Sequence, residues 1–471
     1  MKSMRLSQLA GFCNARLDGD DIEIEAVAID SRSLRPGALF VALRGDRFDG
    51  HEFAAEAVAN GAVAVLCERP LSLPAPQLVV GDSRDALGQI AAGIAAGRGT
   101  RLIGITGSNG KTTVKTLLAA ILSRVGRCYA NPGNRNNEIG LPLALIDQPE
   151  DAEFGIYEMG AGQPGDIAIL TAIAPPSVSL VNNIASAHLE RMGSLRGVAG
   201  TKGAIYEALP ADGVAVINAD DAFGEYFAER VAPRRLIRFA LDASADVSVT
   251  AINSSDEGMS FRLHTPAGEV DVKLPLHGRH NVGNALAAAA LALAVEAPLS
   301  AIAEGLASAA GVAGRQTRYR LANGTLLIDD SYNANPASVA AAIRTLSASS
   351  GESWLVLGDM AELGPDSARL HADCGAMAKD AGITRLFTVG PQSAASSRAF
   401  GTGARHFEDQ EGLIEVLRAG LSSGSRESGI RCLVKGSRSS AMERVVRALL
   451  DSHAGETNDR SHDSREAGNA A

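Results

Sequence analysis

Apolar and polar positions change period along the chain, and those changes divide it. Residues 22–29 (IEIEAVAI) alternate as one half-buried strand, and 39–43 forms a second. A helical pattern over 53–60, a buried strand over 62–66 and a strand at 78–80 follow, the last preceded by the proline-rich LSLPAPQ. A helix over 86–96 comes next and sets a first boundary near residue 85.

Short apolar runs at 102–106, 154–157, 178–181 and 213–217 then alternate with helical stretches such as 111–125. That alternation implies a parallel, doubly wound sheet. Residues 243–276 alternate differently (VSVTAI, FRLHT, EVDVKL), as a small antiparallel ribbon does, and an alanine-rich helix over 283–295 closes the region. Around residue 314 the rhythm restarts, with strands at 326–329, 354–357, 385–389 and 431–434 separated by helices. The expected fold is therefore α/β in three domains, 1–85, 86–313 and 314–455. The segment 456–471 has almost no apolar content and is expected to be disordered.

Bulk composition narrows the class. A chain of 471 residues is too long for one ordinary core, and 46% hydrophobic with 21% charged residues is normal for a soluble globular protein. A net charge of −10 disfavours nucleic acid as the main partner. Five scattered cysteines (Cys13, Cys67, Cys128, Cys374, Cys432) with no CxxC spacing point to a reducing compartment and away from structural zinc. The first residues lack a continuous apolar run of the signal-peptide kind, and the longest apolar stretch, 285–295, is mostly alanine and too short to span a bilayer. The expectation is a cytoplasmic protein with no stable membrane insertion.

The sharpest chemical signal is Gly107-Ser108-Asn109-Gly110-Lys111-Thr112-Thr113, set between the strand 102–106 and the helix 111–125. Glycines let successive backbone N–H groups turn toward an anion, and a helix N-terminus adds a favourable dipole. Lys111 would reach β- and γ-phosphates, and Thr112 could ligate Mg²⁺. The loop reads G-x-x-G-K-T, with Ile105 where a regular P-loop has its first glycine. A tight strand–helix turn with a chance lysine is the bland alternative.

Other candidates follow strand ends. Glu158 closes one predicted strand, where α/β proteins present carboxylates to ligands, although a surface acid would look the same. Arg315 lies at the second boundary and would suit phosphoryl oxygens, or an interdomain salt bridge. Asp330 and Asp329 end the strand 326–329 and could equally cap the next helix.

The loop TGSNGKTT resembles the ATP loop of the Mur ligase superfamily, which also contains folylpolyglutamate synthases. That resemblance implies a central P-loop-type ATPase domain, a Rossmann-like C-terminal domain, and ATP with Mg²⁺ as cofactors. It also implies residue roles. Glu158 and His188, the latter in NNIASAHLE, would be metal-associated. Lys202, in GTKGAIYE, matches a lysine carbamylated in several members, with an ordinary anion-binding lysine as the alternative. Asn281 in HNVGN would lie near adenine, Arg315 at the γ-phosphate and Asp330 at the ribose.

The N-terminal segment carries Asp30-Ser31-Arg32, PGALFVA and Asp49-Gly50-His51, which resemble the UDP-binding domain of superfamily members that extend the stem peptide. Ser31, Arg32, Asp49, Gly50 and His51 are its candidate contacts. Two further segments, NPGNRNNEIG and DSYNANP, are similar to those of the branch that adds D-alanyl-D-alanine to UDP-N-acetylmuramoyl-tripeptide. LGDMAELG and VKGSR fit the same branch, and the Asp-Asn-Pro-Arg motif of the diaminopimelate-adding branch is absent. Asn134, Asn137, Tyr332, Asn333 and Asn335 are then candidate peptide contacts. The implied reaction activates a carboxylate as an acyl phosphate and couples it to an amine in a monomer, with a hinge at 311–315. A P-loop kinase or NTPase switch, and a non-catalytic nucleotide-binding regulator, are the competing readings.

Overall fold

The computed structural model describes residues 1–45, 48–186, 188–348, 351–423 and 429–454; the disorder expected for 456–471 lies outside them. Contacts divide the chain into two compact units. One comprises Met1–Ala185, Arg191–Leu276 and His280–Ala310; the other comprises Ser186–Glu190, His277–Arg279 and the chain from Gly311 onward. Among the described residues no helix is long and apolar enough to cross a membrane.

The first unit contains two α/β sheets. Its N-terminal sheet runs Arg16–Asp18, Gln77–Val79, Ala64–Cys67, Ala38–Val41 and Ala26–Ala28, parallel except for the first pair. The single strand expected over 22–29 is in fact two. Glu23–Ile24 pairs antiparallel with Met4–Arg5, whereas Ala26–Ala28 joins Ala38–Val41. The switch occurs where Gly37 O accepts from both Glu25 N (2.9 Å) and Ala26 N (3.4 Å). Apolar residues run on without a break through Ala26, Val27 and Ala28, so the sequence pattern does not betray the switch.

Helix Ser83–Ala96 begins earlier than its apolar run, because Asp82 caps it by accepting from Arg84 N (2.8 Å) and Asp85 N (3.0 Å). It packs against helix Leu6–Cys13 on one side and helices Gly140–Asp147 and Asp166–Ile173 on the other. The approach is close enough that a Cβ on Gly93 would stand 2.3 Å from Phe12 Cγ. The boundary expected near residue 85 falls inside this helix.

The central sheet has six parallel strands in the order Arg235–Phe239, Val214–Asn218, Val178–Val181, Arg101–Thr106, Phe154–Glu158, Cys128–Ala130. Arg101–Thr106 is where the winding reverses, the place at which open α/β sheets bind ligands. Ile103, Ile105, Leu117, Leu118 and Ile121 bury completely between this sheet and helix Lys111–Leu122. Each such side chain contributes about 1.5–3 kcal/mol of burial energy. The helix stops before residue 125 because Arg124 N and Val125 N bond three residues back, to Ile121 O and Leu122 O, tightening the last turn.

Strands Ser248–Ser255, Gly258–Thr265 and Gly268–Leu274 form the expected antiparallel ribbon. Helix Arg279–Ala294 starts four residues before the position expected from its alanines, and the six residues from Ala285 to Ala290 have no exposed surface.

In the second unit the sheet order is Thr317–Arg320, Leu326–Asp330, Arg431–Lys435, Ser353–Gly358, Arg385–Val389, Ala404–Phe407, all parallel but the first pair. Successive residues face opposite sides. Trp354 and Val356 pack in one core with Leu413, Leu417 and Leu449, while Leu355 and Leu357 pack in another with Val339, Ile343 and Cys374. Burial on both faces explains the continuous apolar strands seen in the sequence.

Candidate active site

The loop 107–110 leaves the strand at the sheet's reversal point and turns into helix Lys111–Leu122. Gly107 (φ 145°) and Gly110 (φ 81°) occupy conformations that L side chains rarely adopt. A Cβ on Gly110 would lie 2.4 Å from Asn284 Oδ1 and 2.5 Å from Asn182 Nδ2, so glycine is required twice over. No side chain caps this helix. Its first turn therefore directs backbone N–H groups and the positive end of its dipole at the loop's concavity.

Two residues from the next strand's end hold the loop's shape. Asn183 O accepts from Ser108 N (2.9 Å), and Asn183 Oδ1 accepts from Asn109 N (2.8 Å). Asn109 O accepts from Asn182 Nδ2 (2.9 Å) and Asn183 Nδ2 (3.1 Å), while Ser108 Oγ accepts from Ala185 N (2.9 Å). Asn182 also donates to Asn284 Oδ1 (3.1 Å), and Asn284 donates to Asn281 Oδ1 (3.0 Å). Asn281 thus stands within the first turns of helix Arg279–Ala294, tied to the loop through two other asparagines. Sequence reasoning quoted Asn182, Asn183 and Asn284 within NNIASAHLE and HNVGN without giving them a role; the doubled asparagine directly after the strand Val178–Val181 is the signal that could have marked the first two.

Lys111 Nζ donates to Gly107 O (2.7 Å), arching over the loop. Thr112 Oγ1 donates to Glu158 Oε2 (2.8 Å), and Thr113 is buried. Glu158, 3% exposed, ends its strand with Asn136 Nδ2 on Oε1 (2.9 Å) and Lys115 Nζ 3.5 Å from Oε2. A hydroxyl and a carboxylate converging here are hard oxygen donors of the kind Mg²⁺ takes, so the residues present fit that ion. Among the described residues no group of three or more His, Cys, Asp or Glu side chains forms a metal cage.

Of the three metal-associated residues expected, the structure brings Thr112 and Glu158 together. His188 instead belongs to the second unit, where its Nδ1 is hydrogen-bonded to Glu362 Oε2. Both partners adopt left-handed backbone, at φ 55° and 59°. Such positions are costly for non-glycine residues and concentrate at functional sites.

Lys202 is 1% exposed on helix Leu195–Glu207. Burial holds its amine well below the ordinary lysine range, the nearby Lys111 ammonium lowers it further, and Asp166 opposes both. A lowered pKa favours the neutral, nucleophilic amine that carbamate formation would require.

In the second unit, the Arg315 guanidinium lies 4.3 Å from the centre of the Tyr332 ring. Asp330 is buried and accepts from Lys435 Nζ (2.7 Å), which also donates to Asn333 O (2.9 Å). Asn333 Oδ1 accepts from Ala334 N (2.9 Å). Asn335 caps helix Pro336–Ser347 in a reciprocal box, its Oδ1 accepting from Ser338 N (2.9 Å) and its N donating to Ser338 Oγ (3.0 Å).

The N-terminal candidates divide by exposure. Arg32 is exposed and grips Asp30 with two bonds of 2.8 Å, which hold that carboxyl down at about 2. Ser31 is buried, donating to Glu56 Oε1 (3.3 Å). His51 is buried too: its Nε2 accepts from Glu68 N (2.8 Å), so Nδ1 carries the proton toward Asp49 Oδ1 (2.5 Å). The His51 backbone N–H, donating to Asp49 Oδ1 (3.0 Å), and after it the His51 ring bring Asp49 to about 2. Gly50 is held against Leu43, where a Cβ would stand 2.5 Å from the carbonyl oxygen. Asn134 and Asn137 are exposed, and Asn137 Oδ1 accepts from Gly140 N (2.9 Å).

Family models match in three stretches: the Mur ligase family catalytic domain over 23–94, the Mur ligase middle domain over 105–292, and the Mur ligase glutamate ligase domain over 314–438. The UDP-N-acetylmuramoyl-tripeptide–D-alanyl-D-alanine ligase of Escherichia coli K12 is 47% identical over 96% of this chain and 99% of its own length. A crystal structure of MurF from Acinetobacter baumannii superposes with a TM-score of 0.92 at 34% identity, covering 96% of this chain and 99% of that one. MurF ligase from Thermotoga maritima in complex with ADP gives 0.82 at 27% identity, over 92% and 99%. With three α/β domains matched in order along almost its whole length, this chain belongs to the Mur ligase family.

Proposed function

We propose that the chain is an ATP-dependent ligase that adds D-alanyl-D-alanine to UDP-N-acetylmuramoyl-tripeptide, in the cytoplasmic synthesis of peptidoglycan precursor. The observation that carries the chemistry is the Thr112–Glu158 contact at 2.8 Å beside the Gly107–Gly110 loop. Relatives with this activity, alike over nearly the whole chain, carry the substrates.

Thr112 and Glu158 would hold Mg²⁺, which supplies charge neutralisation at phosphoryl oxygens. Everything else falls to the chain. The loop and the first turn of helix Lys111–Leu122 cradle the phosphates with backbone N–H groups. Lys111, arched over Gly107, swings from a carbonyl to a phosphoryl oxygen and stabilises charge as the tripeptide's terminal carboxylate attacks the γ-phosphorus. ADP leaves as the acyl phosphate forms; the amine of D-alanyl-D-alanine then attacks the acyl carbon, and the amide forms as inorganic phosphate departs and the amine gives up a proton. Lys202, with its suppressed ammonium, takes up CO₂ as a carbamate and presents an anion where a second cation beside Lys111 would be repelled.

The remaining assignments rest on family resemblance: Asn281, Arg315 and Asp330 to the nucleotide, His188 to the metal, and Ser31, Arg32, Asp49 and Gly50 to the UDP moiety. Asn134, Asn137, Tyr332, Asn333 and Asn335 go to the peptides. His51 serves the UDP region by fixing Asp49, because both its ring nitrogens already have protein partners. The domains take the division 1–85, 86–313 and 314–455, and the protein acts as a monomer. Phosphate release that depends on UDP-tripeptide and D-alanyl-D-alanine together, with the joined product seen by mass spectrometry, tests the reading. Release with neither peptide present would replace it with an NTPase switch.

A further inference from the structure

One turn beyond Lys111, helix Lys111–Leu122 carries a second lysine, Lys115, that the phosphate loop does not use. It is 5% exposed. An ammonium is held at that depth only by partners that replace its water. Nζ donates to Asn131 O (2.7 Å) and Gly133 O (3.2 Å), and lies 3.5 Å from Glu158 Oε2.

The segment 131–137 wraps the end of the Glu158 strand from the other side. Asn131 Oδ1 accepts from Glu158 N (2.9 Å) and Asn131 Nδ2 donates to Glu158 O (3.1 Å). Asn136 Nδ2 donates to Glu158 Oε1 (2.9 Å), and Asn136 O accepts from Gly160 N (2.8 Å). Both carboxylate oxygens are therefore oriented, Oε1 by the loop and Oε2 by Thr112 and Lys115. The outer face of the same loop carries the exposed Asn134 and Asn137.

We propose that Lys115 is a positioning residue that locks the Glu158 carboxylate and the 131–137 loop into one unit, aligning the metal-holding carboxylate with the surface that receives the peptide. The inference rests on the roles given above to Glu158 and to that loop. One ammonium bridges two loop carbonyls and a carboxylate. Removing it frees the loop and leaves the carboxylate with fewer constraints.

Two variants separate the two halves of the lock. Lys115→Met removes both the charge and the donors; Lys115→Gln keeps donors for the carbonyls but not the charge. Hydrogen exchange of the amides in 131–137 is expected to rise tenfold or more in Lys115→Met and to stay near wild type in Lys115→Gln. Mn²⁺ affinity in the presence of ADP, read by electron paramagnetic resonance, is expected to fall about tenfold in both. KM for D-alanyl-D-alanine is expected to rise more than kcat falls in Lys115→Met. Should Lys115→Met fail to fold, Lys115→Gln alone decides through its Mn²⁺ affinity. Unchanged loop exchange in folded Lys115→Met, or unchanged Mn²⁺ affinity in either folded variant, overturns the proposal, as does a loss confined to kcat. Exchange and Mn²⁺ binding need no turnover, so a wild-type protein that forms no amide product sinks the functional reading without deciding this one.

Discussion

Lys435 Nζ meets Asp330 Oδ2 at 2.7 Å because the two residues stand opposite each other at the ends of adjacent parallel strands. Both side chains are nearly sealed from water, at 3% and 12% exposure. The pair holds Asp330 in one orientation and, through Asn333 O, anchors the turn before helix Pro336–Ser347.

Replacing Lys435 by Met leaves a buried carboxylate without its counter-charge, which costs about 3–5 kcal/mol. Trp354, the chain's one tryptophan, lies in the same sheet and reports its unfolding by fluorescence. The urea midpoint followed at Trp354 should drop sharply. A midpoint unchanged within error would mean the ion pair contributes nothing net.

Lys202 gives a pH signature. Its folded-state pKa lies well below the ordinary 10.5. Between that lowered value and 10.5 the unfolded chain binds more protons than the folded one, so stability rises with pH through this window. In CO₂-free buffer, wild type should gain stability relative to Lys202→Met as the pH climbs toward 10. Parallel curves for the two proteins would show that the buried amine is already charged. Lys202→Ala should lose activity and regain part of it with short carboxylic acids, which supply the missing anion.

Gly110→Ala forces a side chain into left-handed backbone and against two asparagine side chains. Strain and overpacking together cost about 2–4 kcal/mol. Expressed through the loop, that is a fall in kcat/KM for ATP on the order of 10²-fold. Gly99→Ala, where the added Cβ meets nothing within 4 Å, should leave ATP kinetics unaltered.

Asn335→Ala separates capping from ligand contact. Loss of the box at helix Pro336–Ser347 costs about 0.5–2 kcal/mol of stability. Asn335→Ser keeps a capping oxygen and should restore most of it. A rise in KM for D-alanyl-D-alanine that persists in the Ser variant would assign the amide to the peptide as well.

Much of this was legible in the chain because it depends on local period or on a contiguous motif. The buried strands of the three mainly parallel sheets, the antiparallel ribbon and the Gly107–Thr113 loop all belong to that group. What escaped depends on contacts across sequence. Asn182 and Asn183 shape a loop about 74 residues away, a contact that the doubled asparagine hints at but that no local period predicts. Lys115 reads as one more polar position on a helix until the Glu158 strand is placed beside it. The break between Glu23–Ile24 and Ala26–Ala28 is hidden because apolar residues continue across the change of partner strand. Short edge strands such as Thr317–Arg320 and Ala404–Phe407 carry too few apolar residues to stand out from loops.

The position of Arg431–Lys435 between Leu326–Asp330 and Ser353–Gly358 governs how the protein is made. As the ribosome adds the 105 residues from Asp330 to Lys435, two flanking strands emerge with a gap where their shared neighbour belongs. From the completion of Ser353–Gly358 until residue 431, each exposes an unpaired apolar border, the kind of surface that draws chaperones and aggregates. A translation arrest before residue 431 would therefore release a sheet that lacks the strand its two neighbours share, and only the last strand of this half closes that border.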